Sequence, residues 1–109
     1  MSKKIEFTFE GTDYVLEYTR RTVKDMERDG FTAKALATKP LTMYPILFEG
    51  AFKCHHKRVD KDTIDRIYKA MPKKDELLEA LGAMYGDVLE SLFEEPEDSE
   101  KNVEWKTNF

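Results

Sequence analysis

At 109 residues, with 40% apolar and 37% charged side chains, the chain holds enough material for one core; splitting it would leave neither half enough apolar surface to offset its chain entropy. Its apolar runs reach three or four residues, far short of the roughly 20 that span a bilayer, and MSKKIEF lacks the apolar stretch of a signal peptide, so no membrane partner is expected. The net charge of −4 is carried by Glu94 to Phe109, where six acids face two lysines; the remaining residues hold 16 acids and 16 bases, a neutral body that argues against nucleic acid as a partner.

The chain opens on KIEFTFEGTDYVLEY. Ile5, Phe7 and Phe9 alternate with Glu6 and Thr8, and after EGTD the alternation resumes with Tyr14, Leu16 and Tyr18. Period-two patterning on both sides of a glycine-containing connection predicts a β-hairpin over 4–19 with one apolar face. Such a hairpin is barely stable alone, so helices or another copy of the chain must cover that face.

A short helix is expected over about 22–29, capped by Thr22 with Asp25 three residues on and ended by Gly30 in a left-handed conformation. FTAKALATKP is ambiguous, with Thr38 a possible cap ahead of Pro40. Leu41, Tyr44, Leu47, Phe48, Ala51 and Phe52 fall at helical spacing and predict a core helix over 41–56, with Pro45 about a turn from its start. Asp60 or Asp62 can cap a helix over 62–71 whose stripe is Ile64, Ile67, Tyr68 and Met71, and Pro72 ends it. The last helix, 75–95, offers Leu77, Leu78, Leu81, Met84, Tyr85, Val88, Leu89, Leu92 and Phe93 as a broad buried face. Gly82 and Gly86 lie on one side of it, a weak hint of close helix approach. Residues 96–109 read as a flexible acidic tail. The fold class is therefore α+β, one domain over 1–95 built from an N-terminal β-hairpin and a mainly α-helical bundle of about four helices.

No nucleotide-binding glycine loop, nucleophile elbow or catalytic triad spacing is present, so the chain reads as a binding module rather than an enzyme, with no cofactor. Cys54 has no partner for an internal disulfide, which fits a reducing compartment. Cys54, His55 and His56 invite a metal reading, but adjacent helical positions diverge by about 100°, so in a helix they cannot converge on one ion, and none is expected.

The aromatic residues are numerous enough to leave apolar surface for a partner. Tyr44, Phe48 and Phe52 on the central helix and Tyr85 on the last are candidates for a groove. Trp105 and Phe109 invite two readings. Either they are apolar anchors of a docking segment kept soluble by its acidic spacer, or they fold back on the domain or are a chance terminus.

The order of parts completes the sequence reading: the hairpin KIEFTFEGTDYVLEYTRRTV, a short helix ending ERDGF, the aromatic helix PLTMYPILFEGAF, two acidic-faced helices and a charged tail. It resembles the small tail assembly chaperones of long-tailed (siphovirus-type) bacteriophages, especially those of Gram-positive hosts, over about residues 4–95. The resemblance implies a homo-oligomeric, non-catalytic protein of the host cytoplasm. It would bind the tape measure protein, assist tail tube assembly by recruiting the tail tube protein, and be absent from the mature virion. It also implies that a longer frameshifted product can join at the tail. The competing classes are a structural head-tail connector or other small phage interaction protein, and an acidic inhibitor or regulator that imitates nucleic acid.

Overall fold

The computed structural model describes residues 3–95 and 103–109. Strands β1 (Ile5–Phe9) and β2 (Thr12–Leu16) pair antiparallel, with Ile5 opposite Leu16, Phe7 opposite Tyr14 and Phe9 opposite Thr12. The connection is two residues, shorter than EGTD suggested. Glu10 and Gly11 both take positive φ, 49° and 79°, the backbone of the tight hairpin turn whose twist matches that of the strands. Thr12 and Asp13 thus belong to β2, and the Asp13 carboxylate accepts a hydrogen bond from the Thr8 hydroxyl opposite it at 2.6 Å.

The helices follow as α1 (Arg20–Arg28), α2 (Ala35–Thr38), α3 (Pro40–Gly50), α4 (Lys61–Ala70) and α5 (Lys74–Glu90), with a single 3₁₀ turn over Ser91–Phe93. The N-cap of α1 is Thr19, three residues before the expected one. Its hydroxyl accepts from the Thr22 backbone N–H while the Thr22 hydroxyl accepts from the Thr19 N–H, so the pair satisfies two otherwise orphaned donors. Gly30 does end the helix, at φ 103°. The Phe31 N–H returns to the Met26 carbonyl at 2.9 Å and the Gly30 N–H to that of Glu27 at 3.0 Å, a Schellman motif that seals Phe31 in the core.

Thr38 closes α2 rather than capping α3, whose N-cap is Lys39 with Pro40 in the first turn. Between the two candidate caps of α4, Asp60 is the one used. Its carboxylate accepts from the Thr63 N–H at 2.9 Å, and these Thr63 hydrogen bonds hold its pKa below the usual value.

Helix α3 ends at Gly50, six residues before the predicted boundary, and Ala51 to His55 form turns. Two long-range contacts accompany the stop. A Cβ on Gly50 would lie 2.6 Å from the Met26 sulfur, so α1 and α3 touch through the missing side chain. The Ala51 carbonyl, which a continuing helix would offer to His55, instead accepts the Glu17 N–H at 3.1 Å. One residue pair further along, the Val15 N–H donates to His56 Nε2 at 2.9 Å. The 51–56 segment therefore closes the outer edge of β2. Among the described residues, no comparable backbone bond reaches the outer edge of β1.

The core consists of two aromatic groups joined by aliphatic side chains. Under the hairpin, Phe52 meets Phe7, Tyr14 and Phe48 with ring centroids 6.5, 6.0 and 5.1 Å apart, and Phe48 continues to Tyr68 of α4 at 5.2 Å. Deeper in the bundle, Tyr85 packs edge-on against Tyr18 and Phe31 at 5.7 and 5.1 Å. The Tyr18 hydroxyl donates to the Leu47 carbonyl, and burial followed by the nearby Tyr85 raises its pKa far above the ordinary phenol value. At the surface, Arg66 of α4 grips both Glu10 carboxylate oxygens at 3.0 Å and lies 5.6 Å from the Phe9 ring centroid, which pins the hairpin turn to the bundle.

Helix α5 departs most from its expected burial. Leu77, Leu81, Met84 and Tyr85 are buried, but Leu89, Leu92 and Phe93 are exposed. Gly82 and Gly86 do not mark a close approach, since a Cβ at either would meet nothing within 4 Å. Replacing each by Ala is therefore expected to stabilise the protein by about 0.5–1 kcal/mol through helix propensity alone. Equilibrium urea unfolding of Gly82→Ala and Gly86→Ala measures this, and a loss of stability in either would show that the glycine meets a constraint.

Candidate functional site

Helix α3 turns one side of its first turn, Leu41 and Thr42, to solvent. Leu41, expected in the core stripe, is 93% exposed, and Met43 is the first-turn residue through which the helix reaches the interior. Opposite it stands α4, and between them lies a cleft of about 340 Å³ whose walls are mainly apolar. Tyr44 and Leu41 form one wall, Ile64 and Tyr68 the other, and Phe48 with Leu78 of α5 closes the inner end. Glu49 and Asp65 line it as well, and Lys74 reaches over the Tyr68 ring with Nζ 5.2 Å from the centroid. The result is an apolar trough rimmed by both charge signs.

The structure sorts the six candidate contact residues into three groups. Tyr44, half-buried, and Phe48, at the inner end, line this cleft together. Phe52 and Tyr85 do not belong to any surface. They are 1% and 4% exposed, each locked among other rings, and their role is the core. Trp105 and Phe109 are 81% and 110% exposed in a segment, 103–109, without regular secondary structure. The expected flexible stretch over 96–102 lies outside the described residues. Because neither aromatic is sheltered, Trp105→Ala and Phe109→Ala are expected to move the melting temperature by less than about 3 °C, as surface changes do. A larger drop by calorimetry would mean that they pack on the body.

Sequence reasoning missed a second exposed apolar group, Leu89, Leu92 and Phe93, because their spacing continues the buried stripe of α5. The signal that could have found it is the acidic EEPED that follows, a charged run directly beside the stripe.

A polar cluster was missed as well. With 51–55 in turns, Cys54 and His55 do not diverge as helical neighbours would, and Glu17, just beyond β2, joins them. The His55 Nε2 lies 2.6 Å from Glu17 Oε1, and one ligand-type atom from each of Glu17, Cys54 and His55 lies within 4.8 Å of the others. The Glu17 side chain is only 9% exposed and that of His55 38%. Burial first, then the Glu17 charge, pushes the Cys54 thiol pKa up, with Lys4 and Lys57 opposing. His56 points elsewhere. It accepts the Val15 N–H, packs 5.1 Å from the Tyr14 ring, and burial followed by His55 lowers its pKa, so it stays a neutral acceptor.

Hairpin, bundle and cleft together define a small α+β domain with an apolar trough on its helical side. Residues 1–109 match the model of the family described as Domain of unknown function (DUF5055), and the chain belongs to that family. Neither a curated protein nor a solved structure matches it. No helix among the described residues is long and apolar enough to cross a membrane.

Proposed function

We propose that this protein is a tail assembly chaperone of a long-tailed bacteriophage, and that it holds amphipathic helices of the tape measure protein in the α3–α4 cleft. The observation that carries the reading is the cleft itself, an apolar trough with Leu41 left 93% exposed on a chain that is otherwise 37% charged. A soluble chain that leaves a large aliphatic side chain in water beside two aromatic walls has surface for a protein partner. The resemblance in the order of hairpin and helices supplies the client and the setting, the host cytoplasm.

A tape measure protein is a long helical chain, so a useful chaperone engages it at many points with many copies. The open edge of β1 and the exposed Leu92 and Phe93 are surfaces through which copies can associate and the tail tube protein can be recruited. Light scattering at micromolar concentration is expected to show dimers or larger assemblies.

Co-expression provides the test. Tape measure protein produced alone is expected to aggregate, and to remain in the supernatant when this protein is produced with it. Unchanged aggregation in its presence would overturn the reading. Recovery of the chain from purified virions would favour the structural connector class instead.

A further inference from the structure

We propose that Glu17, Cys54 and His55 form an open three-ligand site for Zn²⁺, with water as the fourth ligand. The three residues bring a carboxylate, a thiol and an imidazole from two separate places in the chain, the end of β2 and the turns after α3, and set one ligand-type atom of each within 4.8 Å of the others. A set of one oxygen, one sulfur and one nitrogen suits a borderline-soft ion and poorly suits Mg²⁺ or Ca²⁺, which favour oxygen alone. Glu17 is the anchor. Its side chain is nine-tenths buried, and its backbone N–H is fixed to the Ala51 carbonyl at 3.1 Å, so the carboxylate is held while the turn presents Cys54 and His55. Solvent reaches the cluster from two shallow clefts that meet at Cys54 and Lys57, one lined also by Thr19 and Thr22, the other by His56 and Val59.

Binding balances without any redox partner. The Cys54 thiol gives its proton to solvent, and the proton that His55 holds against Glu17 moves to Nδ1. Sγ, Nε2 and a Glu17 oxygen then each donate a lone pair to the ion. Its charge stabilises the thiolate next to the carboxylate, the arrangement that is unfavourable in its absence. With one ligand position left to water, the ion would also tie the end of β2 to the 51–56 segment, adding to the hydrogen bonds at Val15 and Glu17.

Tag-free protein stripped with chelator and titrated with Co²⁺, then Zn²⁺, tests this. The expected results are one equivalent of Co²⁺ per chain, an intense thiolate-to-cobalt absorption band that Zn²⁺ abolishes by displacement, and a melting temperature raised by Zn²⁺ and restored by chelator. Cys54→Ser should remove the band, and His55→Asn should weaken Zn²⁺ by more than the roughly 10–100-fold that loss of an outer partner costs a metal site. Both side chains are at least partly exposed, so these variants test the site even if Glu17→Gln fails to fold. Absence of stoichiometric uptake, or uptake and band that survive both substitutions, overturns the assignment.

Discussion

Phe52→Ala is expected to destabilise the protein by about 3–5 kcal/mol, the range for emptying a buried aromatic position. Phe52 is 1% exposed and joins the hairpin to the helices, touching Phe7 and Tyr14 on one side and Phe48 on the other. Removing it opens a cavity under the two-stranded sheet, where Phe52 supplies an aromatic floor, and an isolated hairpin has little stability of its own. Against a total of about 5–15 kcal/mol for a domain of this size, the loss is a large fraction, and the melting temperature should fall by roughly 15–30 °C. Thermal unfolding followed by circular dichroism measures it. A drop under 5 °C would show that hairpin and bundle are held together elsewhere, for instance by the Arg66–Glu10 pair.

The second large effect is on binding and not on stability. Leu41→Asp places a charge at the mouth of the cleft, in the first turn of α3, where a carboxylate is favoured by the helix dipole and where the native side chain is 93% exposed. Its stability should change by less than about 0.5 kcal/mol. If the cleft holds an amphipathic helix, Leu41 is a central anchor, and its loss should weaken that complex by at least about 30-fold, the scale of a hot-spot residue. Phe93→Asp, in the exposed 3₁₀ turn after α5, serves as comparison and should leave helix binding within about twofold while reducing self-association. The two variants separate client binding from assembly. Isothermal calorimetry with a tape measure helix peptide reads the first, and light scattering the second. Equal loss in both variants would mean that one continuous surface serves both roles.

Much of the fold could be read from local patterns. The alternation from Ile5 to Tyr18 gave the hairpin, Gly30 its left-handed stop and Asp60 its cap, because each depends on residues within a few positions of one another. The parts that could not be read depend on distant partners. Helix α3 stops at Gly50, where Glu17 takes the carbonyl of Ala51, and that bond comes from a residue far away in the sequence. The same event bends Cys54 and His55 toward Glu17, 38 positions before His55, so a cluster that helical geometry argues against exists because the helix has ended. Burial was the other source of error. A helical stripe tells which side chains share a face and not how far the covering elements extend, so Leu41, Leu89, Leu92 and Phe93 read as core and stand in water, whereas Phe52 and Tyr85, taken for contact residues, are sealed by neighbouring rings, Phe7 and Tyr14 against the first and Tyr18 and Phe31 against the second.

The central claim is that the α3–α4 cleft receives a helix of another chain. The most direct measurement is a nitrogen–proton correlation spectrum of labelled protein titrated with an amphipathic helical peptide from the tape measure protein. The account predicts saturable shifts concentrated at Leu41, Tyr44, Ile64, Tyr68 and Leu78, lost in Leu41→Asp. Saturable binding whose shifts leave those five residues unmoved, or no binding at all, would contradict it.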